Sequence, residues 1–275
     1  MSYTIDVYRG QLKPTRSLID YLVFVSFFPQ LVAGPIERAT RLLPQFERAR
    51  TFDQHAARDG CRLILWGLFK KVAVADRLAI FVNMQYADVS AASGSTLALA
   101  TVFFAFQIYC DFSAYSDMAI GLARMFGIQL PLNFDSPYKA ASIIDFWRRW
   151  HMTLSQFLRD YIYIPLGGNR KGPVRRYVNL MTVMLVGGMW HGAGWNFLIW
   201  GALHGGYLVV NHGWNFCKVK IFSDKALSSA LYHVFAVSIT FTAVMFAWVF
   251  FRAETNSGAL SLITSMTDLS AIVLP

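Results

Sequence analysis

An all-α, polytopic membrane protein is the fold class this sequence predicts, and three observations carry it. Hydrophobic residues make up 55% of the 275 residues and aromatics 16%, while charged residues make up only 15%. Soluble domains carry roughly 25% charged residues. The chain then runs from Tyr177 through Cys217 without one charged residue. Residues 234–251, VFAVSITFTAVMFAWVFF, form a third signal, close to the roughly 20 apolar residues a helix needs to cross hydrocarbon. In lipid the backbone must satisfy its own hydrogen bonds, so such segments are read as helices.

The net charge is +9, but the positive residues cluster in a few segments between apolar spans. In a membrane protein such clusters mark cytoplasmic loops and headgroup contacts. Nucleic-acid binding would need a continuous polar basic face, and the sequence offers none. Cys61, Cys110 and Cys217 show no metal-ligand spacing and no even-numbered framework, and read as small buried hydrophobes.

Taken in order, residues 2–17 hold Asp6, Arg9, Lys13 and Arg16 without an apolar core. That is not a secretory signal peptide, and SYTIDVYRG has the β-like composition of an extended segment. Residues 18–36 are apolar but interrupted by Asp20, Pro29 and the Gly34-Pro35 pair, which predicts a helix broken at Pro29 and a re-entrant path. From Glu37 to Arg62 six arginines face four acids, as in a cytoplasmic loop or interfacial helix. Residues 63–83 are apolar around Lys70, Lys71, Asp76 and Arg77. Four central charges are costly against lipid, so an interfacial or cavity-lining helix fits better.

Residues 96–127 form a second clear hydrophobic element that contains Asp111 and Asp117. Acids in a membrane segment point to function by default; the structural alternative is pairing with arginines that holds helices together. A proline-containing loop follows. Residues 145–160 read as a helix with Ser142 as its cap, and Trp147, His151, Leu154 and Leu158 recur at helical steps, which puts His151 on the buried stripe. Arg148 and Arg149 point elsewhere. Segment 164–176 is a basic turn. Residues 177–217 suit two crossings, with seven glycines between Gly187 and Gly206 that predict close or broken packing. Residues 252–275 are mixed. The basic clusters at 37–77 and 139–176 face the cytoplasm on this reading, which puts His151 near the cytoplasmic surface and His191 deeper.

His204, His212 and His233 read as helix-to-helix hydrogen-bonding groups. His191 differs in its setting. Gly187, Gly188, Gly192 and Gly194 strip the nearby backbone of side chains, Trp190, Trp195 and Trp200 supply apolar walls with N–H donors, and Asn196 can orient a group. A neutral imidazole there can take a proton from a hydroxyl that attacks an activated acyl carbon. There is no Gly-x-Ser-x-Gly elbow, no His-Glu-x-x-His zinc motif and no Walker loop, and no dense histidine-box pattern. Haem ligation through His191, His204 and His212 stays open as an alternative.

The strings SFFPQLVAGPIER, YCDFSAYSDMAIGLARMFGI, LNFDSPYKAASIIDFWRRWHMTLSQFLRDYIYIPLGGNR and MWHGAGWNFLIWGALHG resemble the membrane-bound O-acyltransferase (MBOAT) family. Within it they are most similar to the bacterial branch that includes alginate O-acetyltransferase and the D-alanyl transfer protein of teichoic acid synthesis. The resemblance covers roughly residues 2–260. It implies a multi-helix MBOAT-like core around a central funnel or tunnel, with re-entrant and interfacial helices, in the bacterial inner membrane. It implies a thioester donor on the cytoplasmic side, acetyl-CoA or a carrier-protein thioester, and an extracytoplasmic polysaccharide acceptor or a relay acetyltransferase protein. The family's essential Trp-His-Gly histidine maps onto His191, and its second polar position maps onto His151.

Residues 1–275 are therefore expected to form a single MBOAT-like membrane domain. It would be a partial one, since members of this branch carry further helices before the SYTIDVYRG segment. The expected activity is O-acyl transfer, of acetyl to a polysaccharide, with D-alanyl or other acyl transfer to teichoic acid as the alternative. His191 would be the general base and His151 the positioning group, with Trp147, Arg148, Trp190 and Asn196 lining the substrate pocket. No bound metal or redox cofactor is expected. The rival class is a transporter whose tunnel moves a small group without bond chemistry, for which Asp111 and Asp117 would matter most.

Overall fold

The computed structural model describes residues 2–221 and 229–268, and these are helical with no β-strand among them. Twelve helices are used below: α1 Ser2–Tyr8, α2 Leu18–Ser26, α3 Ala39–Glu47, α4 Gln54–Leu68, α5 Asp76–Ala87, α6 Gly94–Met125, α7 Ile143–Arg149, α8 Met152–Leu158, α9 Gly172–His191, α10 Trp195–Ile221, α11 Ala230–Arg252 and α12 Asn256–Thr267. Two of them, α6 and α11, are long and apolar enough to cross a bilayer. The all-α expectation holds. The extended reading of SYTIDVYRG does not: Ser2–Tyr8 is a helix. Its β-like composition is overruled because Tyr3 packs on Tyr21 and Phe24, with ring centroids 5.0 and 6.3 Å away.

The chain divides into two compact units. The first comprises residues 2–76 with Tyr109–Phe134. Helix α2 begins at Ser17, whose hydroxyl accepts from the Asp20 N–H, and it ends before Pro29, as the sequence reading expected. Its Phe24 and Phe27 join Leu42, Leu43, Ile120 and Ile128 in an apolar cluster. Helix α4, capped by Asp53, continues through a π-helical turn over Phe69–Ala75. That turn brings two lysines to α6. Lys70 lies 2.8 Å from Asp117 and donates to Ser113, while Lys71 reaches Asp111 at 2.7 Å and Asp76 at 2.8 Å. The acids of α6 thus pair as in the structural alternative, but with lysines in place of arginines. Cys61 is exposed, contrary to its reading as a buried hydrophobe.

The second unit comprises Arg77–Ile108 with residues 135–268. Its centre is the α9–α10 hairpin, joined by residues 192–194. The two helices run side by side because glycines interlock. A β-carbon on Gly188 would stand 2.3 Å from the Phe197 carbonyl oxygen, and one on Gly201 would stand 2.4 Å from that of Met184. Only hydrogen fits at such distances, which is how small residues let helix backbones approach. Helix α11 packs against α10 and is capped by Ser229, and α12 is capped by Thr255. Cys217 on α10 is exposed. The mixed tail expected for 252–275 is helical over Asn256–Thr267, and residues 269–275 lie outside the described residues.

The single helix expected over 145–160 is two. Ser142 caps α7 as predicted, accepting from the Asp145 N–H at 3.1 Å. The chain then breaks at Trp150 and His151 and restarts as α8. His151 adopts φ +42° and ψ 55°, the left-handed region, which a non-glycine residue enters at a cost.

Candidate active site

Every residue the sequence singled out as a site lies in the second unit. The break between α7 and α8 sets His151. Its carbonyl accepts from the Ser155 N–H at 3.0 Å, starting α8, while the left-handed backbone turns the imidazole into the protein, where it is only 3% exposed. Burial, helped by the charge that His191 can carry, pushes its pKa down from 6.5 to about 3. His151 is therefore neutral at physiological pH.

His191 is the last residue of α9. The chain leaves it through Gly192, whose hydrogen faces the Phe197 ring at a distance no β-carbon could take. Its ring is half-buried and enclosed edge-to-face by aromatics from three elements. Trp190, Trp200 and Phe251 have centroids at 5.0, 5.2 and 5.0 Å, and Phe197 stacks at 6.5 Å. Edge-to-face rings at such distances are an attractive packing geometry that fixes the imidazole plane.

The two histidines share one indole as a neighbour. Trp190 has its centroid 6.4 Å from His151 and 5.0 Å from His191. Trp190 is itself largely exposed, so it forms an outer wall beside both imidazoles. Trp147 joins the cluster from α7, 5.9 Å from Trp200 and 5.1 Å from His204.

Asn196 is buried, and its amide donates to the Ala253 carbonyl at 2.8 Å. That bond ties the start of α10 to the end of α11 and so holds Phe251 against His191. Arg148 is exposed and makes no hydrogen bond or ring contact with the other five residues. The structure thus gathers His151, Trp190, His191 and Trp147 into one aromatic cluster, leaves Asn196 as a strut, and does not bring in Arg148.

Three groups were not foreseen. Phe197, Phe251 and Trp248 complete the walls, with Trp248 stacked 6.0 Å from Trp200 and edge-to-face 5.1 Å from Phe251. Helical spacing held a signal: Phe197, Trp200, His204 and Tyr207 recur at steps of three, four and three, one aromatic stripe along α10. Of the histidines read as interhelical hydrogen-bonding groups, His212 is one, with the Arg176 guanidinium of α9 at 2.9 Å. His204 is not, since neither ring nitrogen has a partner among the described residues. His233 is exposed on α11 with no hydrogen bond from its ring among the described residues. Among the described residues no cluster of histidine, cysteine and acids could hold a metal ion.

Among the described residues, two helices of membrane length and two imidazoles beside one tryptophan, at the end of a glycine-cleared helix pair, make up a helical protein with a polar site in an aromatic shell. The match to known proteins makes this specific: residues 10–251 fit the membrane-bound O-acyltransferase model, and the chain belongs to that family. It is 44% identical to the peptidoglycan O-acetyltransferase of Helicobacter pylori over 93% of this chain and 48% of that protein. It is 45% identical to a probable alginate O-acetylase of Azotobacter vinelandii over 92% of this chain and 49% of that protein. A teichoic acid D-alanyltransferase of Streptococcus thermophilus is more distant, 27% identical over 92% of this chain and 65% of that protein. The chain spans about half the length of the O-acetylating relatives it matches.

Proposed function

We propose that this chain carries the acyl-transfer site of a membrane-embedded O-acyltransferase that moves acetyl from a thioester to a hydroxyl of an extracytoplasmic polysaccharide. The observation that carries the reading is that His151 and His191 both lie against Trp190, their ring centroids 6.4 and 5.0 Å from its indole. The imidazole of His191 takes the proton of the acceptor hydroxyl as that oxygen bonds to the acyl carbonyl carbon. The tetrahedral intermediate then collapses, the carbon–sulfur bond breaks, and the thiolate leaves with the proton that the imidazolium returns. His151, neutral and buried, holds the donor thioester or the acceptor in line. Trp147 and Trp190 wall the pocket. Nothing in this sequence of steps calls for a metal or a redox cofactor.

Acetyl is favoured over D-alanyl because the O-acetylating relatives stand near 44% identity and the D-alanyltransferase at 27%. A location in the bacterial inner membrane, several crossings, and a funnel leading from a cytoplasmic acetyl-CoA or carrier-protein thioester to the outer face belong to the same proposal. So does the grouping of residues 1–275 as one membrane domain. The acceptor is a polysaccharide or a relay acetyltransferase protein. The transporter reading loses support because Asp111 and Asp117 are each committed to a lysine, which suits helix fastening better than passage of a solute.

The test is transfer of labelled acetyl from a thioester to a polysaccharide by membranes that contain the full-length protein. Label in the polysaccharide, dependent on the protein, supports the proposal. Label that crosses the membrane unattached to any acceptor would favour the transporter instead.

A further inference from the structure

His204 sits on α10, one helical turn beyond Trp200, and is fully buried. Neither of its ring nitrogens has a hydrogen-bond partner among the described residues. The same holds for the indole nitrogens of Trp147 and Trp200, both also buried. These three side chains adjoin: the His204 ring centroid is 5.1 Å from Trp147 and 4.9 Å from Trp200. Trp200 in turn lies 5.2 Å from His191. Buried polar atoms in folded proteins are nearly always paired, and each exception calls for an explanation. Three unpaired groups side by side, next to the proposed base, call for a common one.

We infer that His204, with the Trp147 and Trp200 indoles, forms a hydrogen-bonding subsite for one neutral oxygen, a substrate hydroxyl or a resident water, and that His204 is a positioning residue for the transfer. The inference rests on the acyl-transfer reading above. The donor count selects the ligand. Each indole only donates, and a neutral imidazole donates through one nitrogen and accepts through the other. Together the groups offer three donors and one acceptor. A hydroxyl or a water accepts from the two indoles and donates to one imidazole nitrogen, which pairs three of the four groups and leaves only the second imidazole nitrogen. A carboxylate or phosphate has no proton for the accepting nitrogen, and its charge would be stripped of water inside a shell of rings. A saturated apolar group would leave all three unpaired.

The full-length protein in membranes, as His204→Phe and His204→Gln, tests this. Phenylalanine keeps a planar ring for packing and removes both nitrogens, while glutamine restores a donor and an acceptor. The expected result for His204→Phe is a transfer rate reduced at least tenfold and a thermal midpoint lowered by about 2–4 °C, both recovered in part by His204→Gln. A raised KM for the acceptor identifies the oxygen as the substrate hydroxyl. A fall in kcat alone identifies it as a water. A His204→Phe protein with a higher thermal midpoint in the presence of excess acceptor polysaccharide overturns the inference, because it shows that unpaired nitrogens were removed from an empty box. That midpoint is read whether or not acyl transfer is seen, so failure of the enzymatic reading and failure of this subsite are told apart. Wild-type transfer by His204→Phe likewise overturns it and leaves His204 a packing ring.

Discussion

The hydrogen on Gly188 faces the carbonyl oxygen of Phe197 so closely that a β-carbon there would stand 2.3 Å from it. This contact, repeated between Gly201 and Met184, seats α10 against α9 and lets Trp200 and Phe197 close around His191. Gly188→Ala or Gly201→Ala must push the helices apart, at a cost of about 1–3 kcal/mol. Gly206→Ala is the control. Its β-carbon would meet nothing within 4 Å, and alanine's helix preference predicts a gain of up to about 1 kcal/mol. Thermal midpoints of the three variants in detergent check this, and equal midpoints would contradict the interlocked packing.

His151 combines burial with a left-handed backbone. Its pKa is near 3 in the fold against an ordinary 6.5. Between those values the unfolded chain binds a proton that the folded one does not. The stability contribution is therefore complete above pH 6.5 and is lost progressively as the pH falls toward 3. His151→Asn tolerates the left-handed conformation and does not titrate, so its stability should fall less steeply with acid than the wild type's. Parallel pH-melting curves would show the predicted divergence. His151→Ala carries a further penalty of about 1–2 kcal/mol for φ +42° in a residue with no polar side chain to ease it.

In the first unit, Lys70 and Asp117 form a largely buried pair. Lys70→Met leaves a carboxylate inside the protein with no counter-ion and should cost about 3–5 kcal/mol. The double variant Lys70→Met/Asp117→Leu should recover most of that. A double-mutant cycle on thermal midpoints measures the coupling, and additive effects would count against it.

Much of this was legible in the sequence because lipid leaves few options. Apolar length gave α6 and α11, Ser142 gave the start of α7, and the glycine density at 187–206 gave close packing. The Trp-His-Gly frame singled out His191, and the stripe that singled out His151 assumed one helix where the structure has two. The break at His151 was not legible: no glycine or proline marks it, and the left-handed turn is imposed by burial of the ring and by Trp150 packing 5.1 Å from Trp248. The helical state of Ser2–Tyr8 escaped for the same reason, since Tyr3 is held by ring contacts with residues far along the chain. Which lysine meets which acid was hidden too, because the π-helical turn at Phe69–Ala75 shifts their register. His204 looked like an ordinary interhelical histidine, and only coordinates show that both its nitrogens lack a partner.

The most direct test of the central claim is acetyl transfer to polysaccharide by the full-length protein with His191→Ala, inserted in membranes at wild-type level. A general base of this kind contributes typically 10²–10⁴-fold, so the account predicts a loss of at least a hundredfold with unchanged membrane insertion. Transfer by His191→Ala at the wild-type rate would contradict it.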